Sequence, residues 1–127
     1  MNFKTSTLLT ILSVFVLILV NFFTSFILVN SGFTITKNYF PVGFGFGLIA
    51  SILIFILGGF FIYKLRLIQQ FPLITTLIIA GAISNFLEFS LYGFVVDYIN
   101  IGIAVLNLAD LQIYWGLLLL NWRLLSK

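Results

Sequence analysis

Glu88, Asp97 and Asp110 are the only acids in this chain, and they fall between positions 88 and 110. Residues 1–87 contain none. The chain has no Cys, which excludes a disulfide framework, a thiolate nucleophile and a Cys-ligated metal. It has no His, which excludes a Ser-His-Asp triad, a histidine base and an ordinary zinc site. If the chain catalyses a reaction, its acid–base groups come mainly from these three carboxylates.

The neighbours of the acids are polar or small. Gly81, Asn85, Glu88 and Tyr92 follow the spacing of one helical stripe, which Ala80, Ala82 and Ser84 keep slim. Asn107 and Asp110 are three apart with Tyr114 one turn on, so these three are expected to share a face. Between them, Gly93-Phe94-Val95-Val96-Asp97-Tyr98 is β-branched and aromatic after a glycine and reads as an extended piece. The run Gly43-Phe44-Gly45-Phe46-Gly47 is no phosphate loop: Leu48 and Ile49 follow where Lys and Ser or Thr are needed. Its glycines suit close backbone approach to a neighbour or ligand. Trp115 and Trp122 read as packing and interface-belt residues.

The elements that must position these residues are set by lipid. Of 127 residues, 62% are hydrophobic and 7% charged, with a mean hydropathy of +1.26. A soluble domain carries about a quarter charged residues, so this chain cannot cover a water-facing surface. Four stretches are long and apolar enough to span, at about 6–29, 43–63, 72–92 and 104–122. They are expected to be helices, because lipid leaves no partner for an unpaired backbone group. Runs such as Ile52–Leu57 do not alternate as barrel strands do. The apolar run Leu8–Val29 exceeds a signal-peptide core and no Ala-x-Ala site follows, so the first stretch is expected to be a retained helix. Lys4, Lys64, Arg66, Arg123 and Lys127 fall on one side of the resulting topology and Lys37 on the other. The expectation is therefore an all-α membrane protein, one domain over 1–127, with four transmembrane helices, both termini cytoplasmic and short extended outer loops. All three acids then lie toward the outer leaflet. The basic excess is a topology signal, and no nucleic-acid partner is expected.

With that placement, Gly81-Ala82-Ile83-Ser84-Asn85-Phe86-Leu87-Glu88 and Gly93-Phe94-Val95-Val96-Asp97-Tyr98 resemble the signature of the lipoprotein signal peptidase (signal peptidase II) family, G-A-x-x-N-x-x-D-R followed by G-x-V-V-D-F. Asn107-Leu108-Ala109-Asp110, with Gly116 six later, resembles its closing N-x-A-D motif and glycine. The resemblance is clear over roughly residues 79–117. Toward the N-terminus Pro41 stands where the family's N-x-G-x-A-F has Asn, although Gly43 and Phe46 match. Asn21-Phe22-Phe23-Thr24-Ser25 keeps only the Thr of an Asp-x-x-Thr-Lys motif. Glu88-Phe89 replaces Asp-Arg, so the family's substrate-contacting Arg is absent. The outer loops are expected to leave little room for the family's small β-cradle and outer helix, and the chain resembles a short, divergent member.

The resemblance implies an aspartic peptidase within the membrane that removes signal peptides from diacylglyceryl-modified prolipoproteins, cutting before the lipidated Cys, with no cofactor or metal. It implies Asp97 and Asp110 as the catalytic pair, with Asn85, Glu88, Asn107, Gly43 and Phe46 binding substrate or supporting the site. Two close carboxylates resist ionising together, so one keeps a proton and the other serves as a base toward water. Other readings of the same residues are a degenerate member that binds lipoprotein or lipid without cutting, a small proton-coupled transporter, and a structural membrane subunit. The transporter reading needs a carboxylate deep in the first helix, and none is there.

Overall fold

The computed structural model describes residues 3–39 and 43–126. Pro41 and Lys127 lie outside the described residues. In chain order the elements are α1 (Phe3–Asn30), β1 (Thr36–Asn38), α2 (Phe44–Lys64), α3 (Leu67–Gln70), α4 (Pro72–Tyr92), β2 (Val95–Asp97), β3 (Ile99–Asn100), β4 (Val105–Leu106) and α5 (Leu108–Leu125). Among the described residues three helical stretches are long and apolar enough to cross a membrane: Thr7–Asn30, Phe44–Lys64 and Pro72–Tyr92. In α5 the apolar run is interrupted by Asp110, Gln112, Asn121 and Arg123. Large apolar side chains such as Phe15, Ile54 and Leu118 lie exposed on α1, α2 and α5, which suits helices solvated by lipid.

α4 is the centre of the molecule, with α1 on one side and α5 on another. Asn21 meets Ser84 and Ser25 meets Glu88, so both polar residues of α1 advance along α4 in the same order. The two helices therefore run parallel. α5 runs antiparallel to α4, because its successive residues meet ever earlier positions. Gly81 packs on Ala109 and Ile113, and Gly116 on Ile78 and Ile74. A Cβ on Gly81 would collide with the Ala109 carbonyl oxygen, so this glycine is what lets the two backbones approach. α2 reaches α4 through ring contacts of Phe55 with Phe86, 5.1 Å between centroids, and of Phe44 with Phe89, 5.3 Å.

The connections, expected as short extended loops, pair into strands. Gly93, at φ 77°, ends α4 in the left-handed conformation that favours glycine and turns the chain into β2. β2 pairs antiparallel with β1, placing Thr36 opposite Asp97, Lys37 opposite Val96 and Asn38 opposite Val95. β3 pairs with β4 in a second two-stranded sheet. The expectation that the loops leave little room for a β-structure is corrected: they build these two small sheets beside the helix ends. The fourth helix begins at Leu108 and not near Ala104. Val105 and Leu106 are held in β4. Asn107 then starts the helix through a capping box: its side chain accepts from the Asp110 N–H, and the Asp110 side chain accepts from the Asn107 N–H.

Candidate active site

Four elements converge on the two aspartates. Asp97 is the last residue of β2 and is 2% exposed. Asp110 lies in the first turn of α5 and is partly exposed. Asn107 caps α5, and Asn85 projects from α4. A carboxylate offers only acceptors, so the amide nitrogens must face it. Asn107 Nδ2 donates to Asp97 Oδ1 at 3.0 Å and to Asn85 Oδ1 at 3.0 Å. Asn85 Nδ2 donates to Asp110 Oδ1 at 2.7 Å. The Asn107 backbone N–H donates to Asp110 Oδ2 at 3.2 Å. Asn107 thus touches both acids, and Asn85 closes a second path between them.

Two further residues complete the setting. Asn38, diagonal to Asp97 across the β1–β2 pair, donates Nδ2 to Asp97 Oδ2 at 3.2 Å. Tyr98 accepts the Leu108 N–H on its hydroxyl at 3.2 Å, satisfying one of the free donors at the start of α5. Burial pushes the Asp97 carboxyl above the usual carboxylate range, and the neighbouring Asp110 charge pushes it further. The donations from Asn38 and Asn107 pull the other way. Burial likewise raises the Tyr98 phenol, against the Leu108 N–H that favours its charged form. Burial and the neighbouring charge thus favour one proton held by the pair.

Glu88 is buried but does not join the pair. Its carboxylate accepts from Ser25 Oγ on α1 and from the Val96 N–H, the latter at 2.9 Å. The stripe expected on α4 therefore divides. Gly81 and Asn85 face α5, Glu88 faces α1 and β2, and Tyr92 stacks on Phe94 with centroids 6.0 Å apart. Tyr114, one turn on from Asp110, stays outside the buried part of the site. It is 59% exposed, and Ala109, Gln112 and Gly116 form the buried face of α5 instead. Gly43 is exposed at the start of α2 with open space about it, and Phe46 is 63% exposed on that helix. Phe44 is the α2 residue whose ring meets Phe89. Phe89 itself, at the family's Arg position, is buried.

A cavity of about 390 Å³ adjoins the site, walled by Asn38, Tyr39, Ser51, Phe55, Asn85 and Phe89 among others. Its wall is mostly apolar and includes Asn38 and Asn85, which donate to Asp97 and Asp110. Among the described residues no group of three or more His, Cys, Asp or Glu is placed to hold a metal ion.

Sequence reasoning missed Asn38 and the roles of Tyr98, Asn21, Ser25, Ser84 and Gln112. Asn21 Nδ2 donates to Ser84 Oγ at 2.8 Å and to Gln112 Oε1 at 3.0 Å, and Gln112 Nε2 returns a bond to Asn21 Oδ1 at 3.1 Å. A signal was present: Asn21 and Ser25 are four apart in an apolar span, as are Ser84 and Glu88.

The lipoprotein signal peptidase of Thermodesulfovibrio yellowstonii is 33% identical over 91 residues, which are 68% of this chain and 60% of that protein. That of Moorella thermoacetica is 40% identical over 50 residues, 39% of this chain and 33% of that protein. The chain thus spans under two thirds of the length of these curated relatives. Two solved structures of a bacterial membrane enzyme, obtained in meso, share its fold at 22% identity. One has a TM-score of 0.72 and covers 92% of this chain and 87% of its own; the other has 0.74 and covers 93% of each. The family model for signal peptidase (SPase) II matches residues 2–126, and with nearly its whole length so matched the chain belongs to the signal peptidase II family.

Proposed function

We propose that the protein is an aspartic endopeptidase of the membrane that removes the signal peptide from diacylglyceryl-modified prolipoproteins, with Asp97 and Asp110 as the catalytic pair. The observation that carries this reading is the contact of Asn107 with both aspartates. It fixes two carboxylates from different elements around one point, as a shared water requires.

The chemistry needs one proton on the pair. The ionised carboxylate takes a proton from water as the water oxygen bonds to the scissile carbonyl carbon. The protonated carboxyl gives its proton to the carbonyl oxygen. Collapse of the tetrahedral intermediate breaks the C–N bond: the departing nitrogen takes the proton the base had collected, and one hydroxyl of the intermediate returns its proton to the carboxylate that had acted as acid, which restores one proton on the pair. The products are a carboxyl-ended signal peptide and a lipoprotein with a free amine on its lipidated Cys. Which aspartate holds the proton belongs to the pair as a unit. Asn85 and Asn107 hold the acids or the substrate, Glu88 supports the site, and Gly43 and Phe46 contribute from α2. The whole chain acts as one domain of four transmembrane helices, with α5 as the fourth. The distribution of Lys and Arg supports cytoplasmic termini and an outer-leaflet site. There the substrate's acyl chains stay in lipid while its peptide bond reaches water.

The test is cleavage of a diacylglyceryl-modified prolipoprotein by the protein purified in detergent. A shortened product is expected from wild type and not from Asp97→Asn or Asp110→Asn. Equal cleavage by all three ends the reading. The reading in which the chain binds lipoprotein without cutting draws support from Phe89, which leaves the cavity wall without the family's cation. It predicts retained binding with no product from wild type.

A further inference from the structure

Ser25 of α1 and Glu88 of α4 are 63 residues apart in sequence, and Ser25 Oγ donates to Glu88 Oε1. The other carboxylate oxygen, Oε2, accepts the Val96 N–H at 2.9 Å. β2 has a paired neighbour on one side only, so a donor on its other side needs a partner from outside the sheet. Glu88 supplies it. Val96 is fully buried and precedes Asp97 in the chain. Glu88 therefore pins β2 between α1 and α4 one residue before the aspartate, without contacting that aspartate itself.

We infer that Glu88 is a positioning residue that fixes Asp97 through the Val96 N–H, with Ser25 holding its other carboxylate oxygen. The carboxylate acts by accepting two hydrogen bonds at once, from a helix and from a strand. Glu88→Gln preserves that geometry, because its carbonyl accepts from Val96 while its amide donates to Ser25. Glu88→Asp is one methylene too short to reach both. The catalytic consequence rests on the proposed peptidase activity, whereas the positioning itself does not.

The test uses the full chain in detergent with two readouts: hydrogen exchange at the Val96 amide, and kcat and KM on a diacylglyceryl-modified prolipoprotein. Glu88→Gln is expected to keep Val96 protected and to cleave within about tenfold of wild type. Glu88→Asp is expected to speed exchange at Val96 and to lower kcat by roughly 10- to 100-fold with KM little changed, the size of loss that a small misplacement of a catalytic group causes. The inference is overturned if Glu88→Asp leaves protection and kcat at wild-type levels. It is also overturned if Glu88→Gln abolishes cleavage with Val96 still protected, since Glu88 would then act chemically. If wild type cuts nothing, the peptidase reading fails and the exchange measurements alone decide the positioning.

Discussion

Asn21 of α1 and Gln112 of α5 exchange two side-chain hydrogen bonds, 3.0 and 3.1 Å long, across the buried interior between their helices. Each amide presents its donor to the other's acceptor. Removing one partner leaves the other unsatisfied in a place without water, which costs more than the bond itself contributes. Asn21→Leu is therefore expected to destabilise the protein by about 1–2 kcal/mol in detergent unfolding. Asn21→Leu combined with Gln112→Leu is expected to regain most of that loss. Additive losses in the combined variant would show that the two amides do not act as a pair.

The glycines of the α4–α5 contact are not equivalent. A Cβ on Gly81 meets the Ala109 carbonyl oxygen, backbone that cannot step aside. A Cβ on Gly116 first meets Ile78 Cγ1, part of a side chain that can rotate. Gly81→Ala is expected to cost roughly 1–3 kcal/mol and to displace the first turn of α5, which carries Asp110. Gly116→Ala is expected to cost less and to leave more activity. Thermal melts and cleavage rates of the two variants, side by side, provide the comparison.

Asn107 is expected to be the least replaceable of the supporting residues. Asn107→Asp keeps shape and capping ability but turns the donor to Asp97 into an acceptor, and adds negative charge beside both acids. A loss of cleavage of at least about 100-fold is expected, with the helix content unchanged by circular dichroism. Asn85→Ala, which removes one donor to Asp110 and leaves the Asn107 N–H in place, is expected to lose less.

Asp97 should make stability fall as pH rises. Its folded carboxyl titrates above the ordinary carboxylate range through burial and the Asp110 charge. Between the ordinary value and the raised one, the folded state binds more protons than the unfolded state. Stability is then greatest below the ordinary value and declines through that window. Asp97→Asn removes this penalty. It is expected to melt higher than wild type at neutral pH, by about 4 °C for each kcal/mol recovered, and the gain is expected to vanish in acid. For the proposed peptidase, the same upward push places the alkaline limb of the rate profile above the usual carboxylate range.

The legibility of the site was uneven for physical reasons. Asp97, Asp110, Asn85 and Asn107 stood out because a polar residue in a lipid-solvated chain is costly and is kept only with a partner. The structure brings these four together. Asn38 was hidden because its link to Asp97 runs through strand pairing between segments 59 residues apart, which no local spacing encodes. Tyr114 and Glu88 were placed by helical period alone. Period says which residues share a face, but not which neighbour that face meets.

Composition by itself determined the solvent, and through it the helices: a chain this apolar must satisfy its backbone internally. It also left acid–base chemistry mainly to three carboxylates, because no His or Cys is present. Only the tertiary structure decided how those three divide. The close approach at Gly81 sets α5 against α4, so Asn85 reaches Asp110 and Asn107. The parallel register of α1 with α4 turns Glu88 to Ser25 and β2 instead. Hydrogen-bond partners are fixed by which faces meet at what distance, and that is a property of packed helices, not of any one of them.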